Sequence, residues 1–206
     1  MISEDTEMKL SELESNIGTA FPLKWHSIYE TGAMEWLELS QPEYWENRQR
    51  YINDPSAFLM LDCDCEPIFF YEISEYLGEL NEWLLWKKDS DGSVLNEDVK
   101  LIPFAKMGTG DIYCFVYTAK ASEPSVALVL HDDCDTPEII ADSFDDFLYT
   151  AMLGAAACGE NTEGEHWKAH LEYLSDKNKA RLLGRSPKEL ADEFESMRFK
   201  KADIFR

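Results

Sequence analysis

Apolar side chains in the first fifty residues recur at helical spacing. Leu10, Leu13 and Ile17 fall on one face of a helix, and Gly18 follows them where a left-handed C-terminal cap would stand. The pattern therefore predicts a first short helix that ends at Gly18.

Two more helices are predicted before residue 55. Pro22 suits the first turn of a second helix, which ends at Gly32. The apolar face of this helix consists of Trp25, Ile28 and Tyr29. A third helix is predicted to begin at Pro42 and to end near Asn53, because Pro55 disfavours helical backbone in the residue before it.

Between residues 57 and 132 the pattern changes to short apolar or alternating runs separated by turn residues, which is typical of strands. The predicted strands cover 57–61, 67–73, 83–87, 101–105, 112–119 and 126–130. The clearest turns are Asp91-Gly92 and Gly108-Thr109-Gly110. The runs follow one another too closely for helical crossovers, so the sheet is predicted to be largely antiparallel.

A strongly apolar helix is predicted after the strands. Ser143 suits its N-cap, Asp145 and Asp146 lie in its positively polarised first turn, and apolar residues follow at helical spacing. Beyond Gly159 the composition shifts, and two further helices are predicted, one over 165–183 and one opening at the capping box of 186–189. We therefore divide the chain into a domain at 1–158 and a C-terminal helical extension at 159–206.

The charge balance narrows the choice of partners. The chain has 41 acidic and 19 basic residues, a net charge of −22. Phosphate backbones and anionic membranes bind proteins through Lys and Arg, so direct binding to nucleic acid or membrane is not expected. The N-terminus does not resemble a signal peptide, no apolar run reaches about 18 residues, and five cysteines give no disulfide framework. We therefore expect a cytoplasmic protein with reduced thiols.

The negative charge is unevenly distributed. Residues 167–206 hold 10 basic and 7 acidic side chains, a net charge of +3, so residues 1–166 hold 9 against 34, a net charge of −25. Between Lys120 and Lys168 there is no basic residue and there are eleven acidic ones. This density either serves recognition of a basic partner or simply keeps the surface hydrated.

Candidate chemical sites are weak in this sequence. His131 with the acids and cysteine of 132–135, and the acidic run of 62–66, contain metal-capable side chains but no recognised ligand spacing. His166 and His170 have the spacing of a zinc-binding helix without a third ligand, which favours a surface pair. Residues 89–93 resemble a calcium loop only in part, and a turn is the better interpretation. The sequence predicts no catalytic residues, metal site or cofactor.

An ordered set of motifs resembles one known family. The set comprises Leu13-Glu14, Ile17-Gly18, Phe21-Pro22, Trp25, Ile28-Tyr29 and Gly32, then 101–105 with Gly108–Asp111 and 112–116, then 126–132 and 140–148. It is similar to the SUKH superfamily, named partly after fungal cell-wall assembly regulators, over about residues 10–150. Three features depart from the family pattern: an apparent insertion at 33–56, a last strand at 126–130 without an aromatic residue, and the tail at 160–206.

The resemblance implies an α+β domain without an enzymatic site. Its sheet would be curved and largely antiparallel, with five or six strands, N-terminal helices and one helix after the last strand packed on it. Bacterial members resemble immunity proteins that bind and neutralise the toxin domains of polymorphic toxin systems, commonly nucleases. The structural residues at the matching positions would be Gly18, Pro22, Trp25, Gly32, Pro103, Gly108, Gly110, Ser143, Phe144 and Phe147.

Charge and resemblance together predict an immunity protein that binds a basic, nuclease-type toxin. A nuclease is basic where it holds phosphates, so an acidic protein would compete with its substrate. The predicted partner-binding residues are Asp62, Asp64, Glu66, Asp89, Asp91, Asp132, Asp133 and Asp135, with exposed aromatic side chains as apolar anchors. We expect a monomer or a weak dimer.

Two alternatives stay open. The chain could be a non-enzymatic interaction or scaffold module whose basic tail docks on an acidic partner or on its own acidic face. It could also be a metal-dependent enzyme that uses residues 131–135. Tail truncation and metal analysis of the purified protein discriminate these alternatives.

Overall fold

The computed structural model describes residues 8–59, 65–131 and 137–206. In this part of the chain the helices are α1 Leu10–Ile17, α2 Leu23–Tyr29, α3 Gln41–Asn53, α4 Ile73–Asp91, α5 Phe144–Ala157, α6 Glu165–Tyr173, α7 Asp176–Leu182 and α8 Pro187–Ser196. The strands are β1 Cys65–Pro67, β2 Val99–Met107, β3 Ile112–Thr118, β4 Ser125–Val129, β5 Glu138–Ala141 and β6 Lys200–Lys201. Short 3₁₀ turns occupy Glu35–Glu38 and Phe70–Glu72.

The six strands form one curved, open sheet in the order β1-β2-β3-β4-β5-β6, and every neighbouring pair is antiparallel. The hairpin between β2 and β3 turns at Gly108–Gly110, as predicted, and Gly110 has a φ of 97° that favours glycine. The β2–β3 register shifts between Pro103 and Ala105, which suits a proline that has no N–H to donate. The predicted α+β class is confirmed.

One face of the sheet is covered by an aromatic cluster. Trp25 of α2 is fully buried, and its ring lies 5.8 Å from the rings of Phe104 and Phe115 on the sheet. Phe144 and Phe147 of α5 pack edge-on against Phe104 at 5.7 and 5.3 Å. These contacts fix α2 and α5 on the same face of the sheet.

The opposite face is covered by α4. Because side chains alternate along a strand, Ile112 and Cys114 point away from the face on which Tyr113 and Phe115 join the aromatic cluster. Helix α4 packs against β2, and its buried Leu80 lies in a groove lined by Ile112. The sheet is therefore buried on both faces, which explains the nearly continuous apolar sequence of β3.

The C-terminal segment is tied to the rest of the fold by buried side chains and strand pairing. Trp167, Leu171 and Leu190 belong to the main hydrophobic core, and α8 packs against α5. Strand β6 pairs with β5 and completes the sheet. The segment therefore packs on the same core as the N-terminal helices, while the predicted domain boundary at residue 158 stays a prediction.

A carboxylate at the start of α5 holds the beginning of α7. Asp145 accepts hydrogen bonds from the Ser175 N–H at 2.7 Å and from the Asn178 side-chain amide at 2.8 Å. The same amide donates to Asp146 at 2.8 Å, and Asn178 is fully buried. Ser143 caps α5 as predicted, with its Oγ accepting the Asp146 N–H at 3.1 Å.

Several predicted elements are wrong. Residues 83–87 lie in α4 and not in a strand, and 67–73 holds only the last residue of β1 before a 3₁₀ turn. Residues 57–59 form no strand, while 60–61 lie outside the described residues. The helix predicted over 165–183 is two helices separated at Leu174 and Ser175, and the strand β5 was not predicted. Cys158 is disulfide-bonded, contrary to the expectation of reduced thiols, whereas Cys65 and Cys114 are buried thiols.

The turn predicted at Asp91-Gly92 ends a helix and does not connect two strands. Gly92 adopts a φ of 81° and its N–H donates to the Lys88 carbonyl at 3.0 Å, which closes α4. None of the helices in the described ranges combines the length and the apolar character needed to cross a membrane.

The burial of α8 predicts a large difference between two leucine variants of the C-terminal segment. Leu190 is 1% exposed and Leu183 is 57% exposed. We expect Leu190→Ala to lower the free energy of unfolding by about 2–4 kcal/mol, because it leaves a cavity under α8. Leu183→Ala should change it by less than about 0.5 kcal/mol. Urea unfolding measures both, and equal effects would contradict the packing of α8 described above.

Candidate binding face on helix α4

Only part of the predicted partner-binding set can be located. Asp62, Asp64, Asp132, Asp133 and Asp135 lie outside the described residues. Glu66 is exposed on the edge strand β1. The remaining pair, Asp89 and Asp91, lies in the last turn of α4, so the expectation that both are loop residues is wrong.

The located residues do not form one patch. Glu66 pairs in register with Lys106, whose Nζ lies 2.8 Å from the hydroxyl oxygen of Tyr76 near the start of α4. Asp89 follows Tyr76 by 13 residues, which is about 20 Å along a helix. Glu66 and Asp89 therefore lie near opposite ends of α4.

Asp91 is occupied by contacts within the chain. It accepts hydrogen bonds from the Ser93 N–H at 2.8 Å and from Lys87 Nζ at 3.0 Å. The bonds from Ser93, together with Lys87, lower the pKa of Asp91 to about 2. The Lys87 side chain is almost fully buried and lies 5.3 Å from the ring centroid of Phe205. Asp91 thus closes the end of α4, whereas Asp89 faces solvent.

Helix α4 exposes a continuous acidic face. Its members are Glu75, Glu79, Glu82, Trp86 and Asp89, which follow one another at spacings of four, three, four and three residues. This spacing places all five side chains on one face of a helix, and all five are exposed. We refer to these five residues as the α4 face. A strand at 83–87, as predicted from the sequence, does not reveal this face, although the helical spacing of the glutamates is visible in the sequence.

The chain around the α4 face is poor in cations. No Lys or Arg occurs between Arg50 and Lys87 in the sequence. Lys87 turns inward, as described above, so the exposed cation in the last turns of α4 is Lys88. The α4 face therefore projects a negative field that the helix itself neutralises only at its C-terminal end.

A groove of about 480 Å³ runs beside the α4 face. Its floor is apolar, and the residues that line it are Glu79, Leu80, Glu82, Trp83, Trp86, Gly110, Ile112, Val129, Leu130 and His131. Trp86 is 46% exposed, so part of a large apolar side chain faces solvent beside the groove. The groove thus combines an apolar floor, two tryptophans and two carboxylates.

The far wall of the groove is held by a hydrogen-bonded pair. Asp111 Oδ1 accepts the backbone N–H of His131 at 3.0 Å and lies 3.0 Å from His131 Nδ1. Burial raises the pKa of Asp111, but these hydrogen bonds outweigh burial and leave the pKa below its usual value. At Gly110 a Cβ atom would come within 3.4 Å of the His131 ring. The wall therefore depends on glycine at this turn.

The expected surface pair of His166 and His170 is wrong, because His170 is buried. Its Nε2 accepts the Leu59 N–H at 3.3 Å, and its Nδ1 lies 2.8 Å from the His166 carbonyl oxygen. The neutral ring with a proton on Nδ1 satisfies both contacts. No group of three His, Cys, Asp or Glu residues suited to a metal ion occurs within 8–59, 65–131 and 137–206.

The predicted structural residues have the following placements. Trp25, Phe144 and Phe147 belong to the aromatic cluster. Gly18 and Gly32, at the ends of the first two helical segments, have φ values of 63° and 83°. Pro22 is the N-cap of α2, and the positions of Pro103, Gly108, Gly110 and Ser143 are those given with the fold.

These features define an α+β protein with an open antiparallel sheet and an acidic helical face. Residues 6–150 match the SMI1 / KNR4 family (SUKH-1), so the chain belongs to that family. Members of the family are generally non-catalytic immunity proteins that bind a cognate toxin. No curated protein and no solved structure matches the chain. Helices α6–α8 and strand β6 lie beyond the matched residues.

The burial of His170 predicts a loss of stability in acid. Burial lowers its pKa to about 4, whereas an unfolded histidine has a pKa of about 6.5. The unfolded chain therefore binds the proton first, and the stability that neutral His170 contributes above pH 6.5 is lost as the pH falls towards 4. We expect a loss on the order of 3 kcal/mol over this range.

Urea unfolding of the wild type and of His170→Gln between pH 7 and pH 4 measures this contribution. The carboxylates titrate in both proteins, so the difference between the two curves isolates His170. Parallel curves would show that the histidine makes no such contribution.

Proposed function

We propose that this protein binds and neutralises a basic, nuclease-type bacterial toxin domain, and that the α4 face makes the central contact. The observation that carries the proposal is the row of exposed glutamates on α4 beside an exposed Trp86 and an apolar groove. Membership of a family of immunity proteins supports the same function. Glu66 and Asp89, both exposed, are proposed to contribute at the two ends of α4.

Electrostatics explain why the toxin should be basic. A nuclease holds its substrate through cationic side chains, which an acidic protein can cover or screen from phosphate. A net charge of −22 also steers a cationic partner during diffusion. Steered association reaches about 10⁸–10⁹ M⁻¹s⁻¹ at low salt. Binding of a protein inhibitor to a ribonuclease is one example of such steering. Rapid capture protects a cell from a lethal enzyme.

Two arginines of the basic C-terminal segment contact residues outside it. The guanidinium of Arg181 lies 3.7 Å from the ring centroid of Tyr149, and Arg206 Nη2 lies 2.7 Å from Glu97. These contacts favour self-docking of the segment over a scaffold role in which it captures a separate acidic partner. We therefore propose no second function.

Co-expression provides the direct test. The toxin domain encoded by the neighbouring open reading frame is expressed with and without this protein, and survival of the host cells is measured. We expect rescue with the wild-type chain. Cells that die equally in both cases would overturn the proposal for that toxin.

The proposal predicts that removing negative charge from the α4 face slows association with the toxin domain more than removing the same charge from other sites. The triple variant Glu75→Gln, Glu79→Gln, Glu82→Gln should slow association with the toxin domain by roughly tenfold at low salt and should flatten its salt dependence. The matched variant Glu12→Gln, Glu46→Gln, Glu195→Gln removes the same charge from exposed sites on α1, α3 and α8.

Stopped-flow association rates between low and high salt compare the two triple variants. We expect the matched variant to stay within about twofold of the wild type. Equal slowing by both variants would mean that only the net charge of the protein counts.

A further inference from the structure

The groove beside the α4 face has a chemistry that the overall acidity does not explain. Its rim carries Glu79 and Glu82, and none of its lining residues is Lys or Arg. Its floor includes the buried side chains of Leu80, Ile112 and Val129. A purely hydrated acidic surface needs neither an apolar floor nor an exposed tryptophan.

The two carboxylates stand on the same side of the helix as Trp86. Glu79 precedes Trp86 by seven residues and Glu82 precedes it by four, so the three side chains follow one another along the face. A ligand in the groove therefore meets negative charge and the indole of Trp86 together. Both groups attract a cation, the carboxylates by charge and the indole ring by its quadrupole.

We propose that the groove binds one arginine side chain that the partner protein presents, a proposal that rests on the proposed function. The apolar methylenes of arginine would lie on the floor, since long charged side chains bury their stems and keep their heads in polar surroundings. The planar guanidinium would stack on Trp86 and donate hydrogen bonds to Glu79 and Glu82. A nuclease-type toxin that binds the phosphates of nucleic acid presents such arginines at its own binding groove.

Arginine fits these groups better than the other cationic side chain. Lysine carries a compact, strongly hydrated ammonium group that can neither stack on an indole nor bridge carboxylates with parallel N–H bonds. An apolar side chain would leave the rim carboxylates without a partner, and an acidic one would be repelled by them. The groove thus selects for the guanidinium group.

A small arginine probe tests the groove without the toxin. The ¹⁵N-labelled full-length protein is titrated with Nα-acetyl-arginine N-methylamide hydrochloride, and with the isosteric uncharged citrulline analogue plus matched sodium chloride. The indole N–H signals of Trp83 and Trp86 report on the groove, and that of Trp45, exposed on α3, serves as an internal control. We expect saturable shifts at Trp83 and Trp86 with the arginine compound only.

Variants of the protein sharpen this titration. Glu79→Gln with Glu82→Gln should abolish the saturable shifts, whereas Leu85→Ala should retain them, because Leu85 is 60% exposed on α4 outside the groove lining. Equal shifts with the citrulline analogue, or shifts at Trp45 as large as those at Trp86, would overturn the proposal.

The toxin domain provides the second measurement. Trp86→Ala should raise the dissociation constant for the toxin domain at least about tenfold, and Leu85→Ala should leave it within about twofold. Thermal unfolding by circular dichroism verifies that both variants fold. Leu85 is 60% exposed, so Leu85→Ala should change the melting temperature little, whereas Trp86 is 46% exposed, so Trp86→Ala removes a half-buried ring and should lower the melting temperature while keeping a cooperative transition.

The two measurements separate the two proposals. If the wild type binds the toxin tightly and Trp86→Ala binds it equally well, the arginine groove is overturned while the proposed function stands. If the wild type does not bind the toxin but the arginine compound gives the expected shifts, the proposed function fails and the guanidinium specificity of the groove stands.

Discussion

The packing of Trp25 against aromatic rings of the sheet and of α5 is the contact on which the rest of the structure depends. Its ring meets Phe21, Phe58, Phe104, Phe115 and Phe144 at centroid distances of 5.2 to 6.2 Å. Its buried indole N–H has no acceptor in the described ranges, which costs about 1–3 kcal/mol. Five aromatic pairs at about 0.5–1.5 kcal/mol each, in addition to the buried area, outweigh that cost. Because α2 and α5 are fixed on one face, α4 is left to cover the other.

Much of this arrangement could be predicted from the sequence because local signals and tertiary packing agree. The αL glycine after α1, the N-cap Ser143 and the glycine turn between β2 and β3 each require only neighbouring residues, and each occurs in the structure. Helix α4 shows where such reasoning fails. Its run Trp83–Lys87 reads as a strand in isolation, and the glutamates that reveal the helix precede that run.

The candidate site was only partly predictable for the same reason. Negative charge indicated the chemistry of the surface, but which carboxylates share a face depends on whether a segment is a helix or a strand. Asp89 was selected from a supposed loop and lies on the α4 face, whereas Asp91 is held by Ser93 and Lys87. Glu75, Glu79 and Glu82 lie between the predicted strands 67–73 and 83–87, so the strand prediction gives no reason to place them on one face with Trp86.

The pairing of β6 with β5 has a consequence for the order in which the chain can fold. Ile139 pairs with Lys200, so the strand that covers the edge of β5 is made 61 residues after it. At synthesis rates of roughly 5–20 residues per second, this edge waits about 3–12 s on the ribosome for its partner. During that interval the nascent sheet offers unpaired backbone groups to other chains. Glu138, the first residue of β5, and Asp142, which follows its last residue, place negative charge at this edge, and like charges opposed across two strands disfavour pairing between nascent copies.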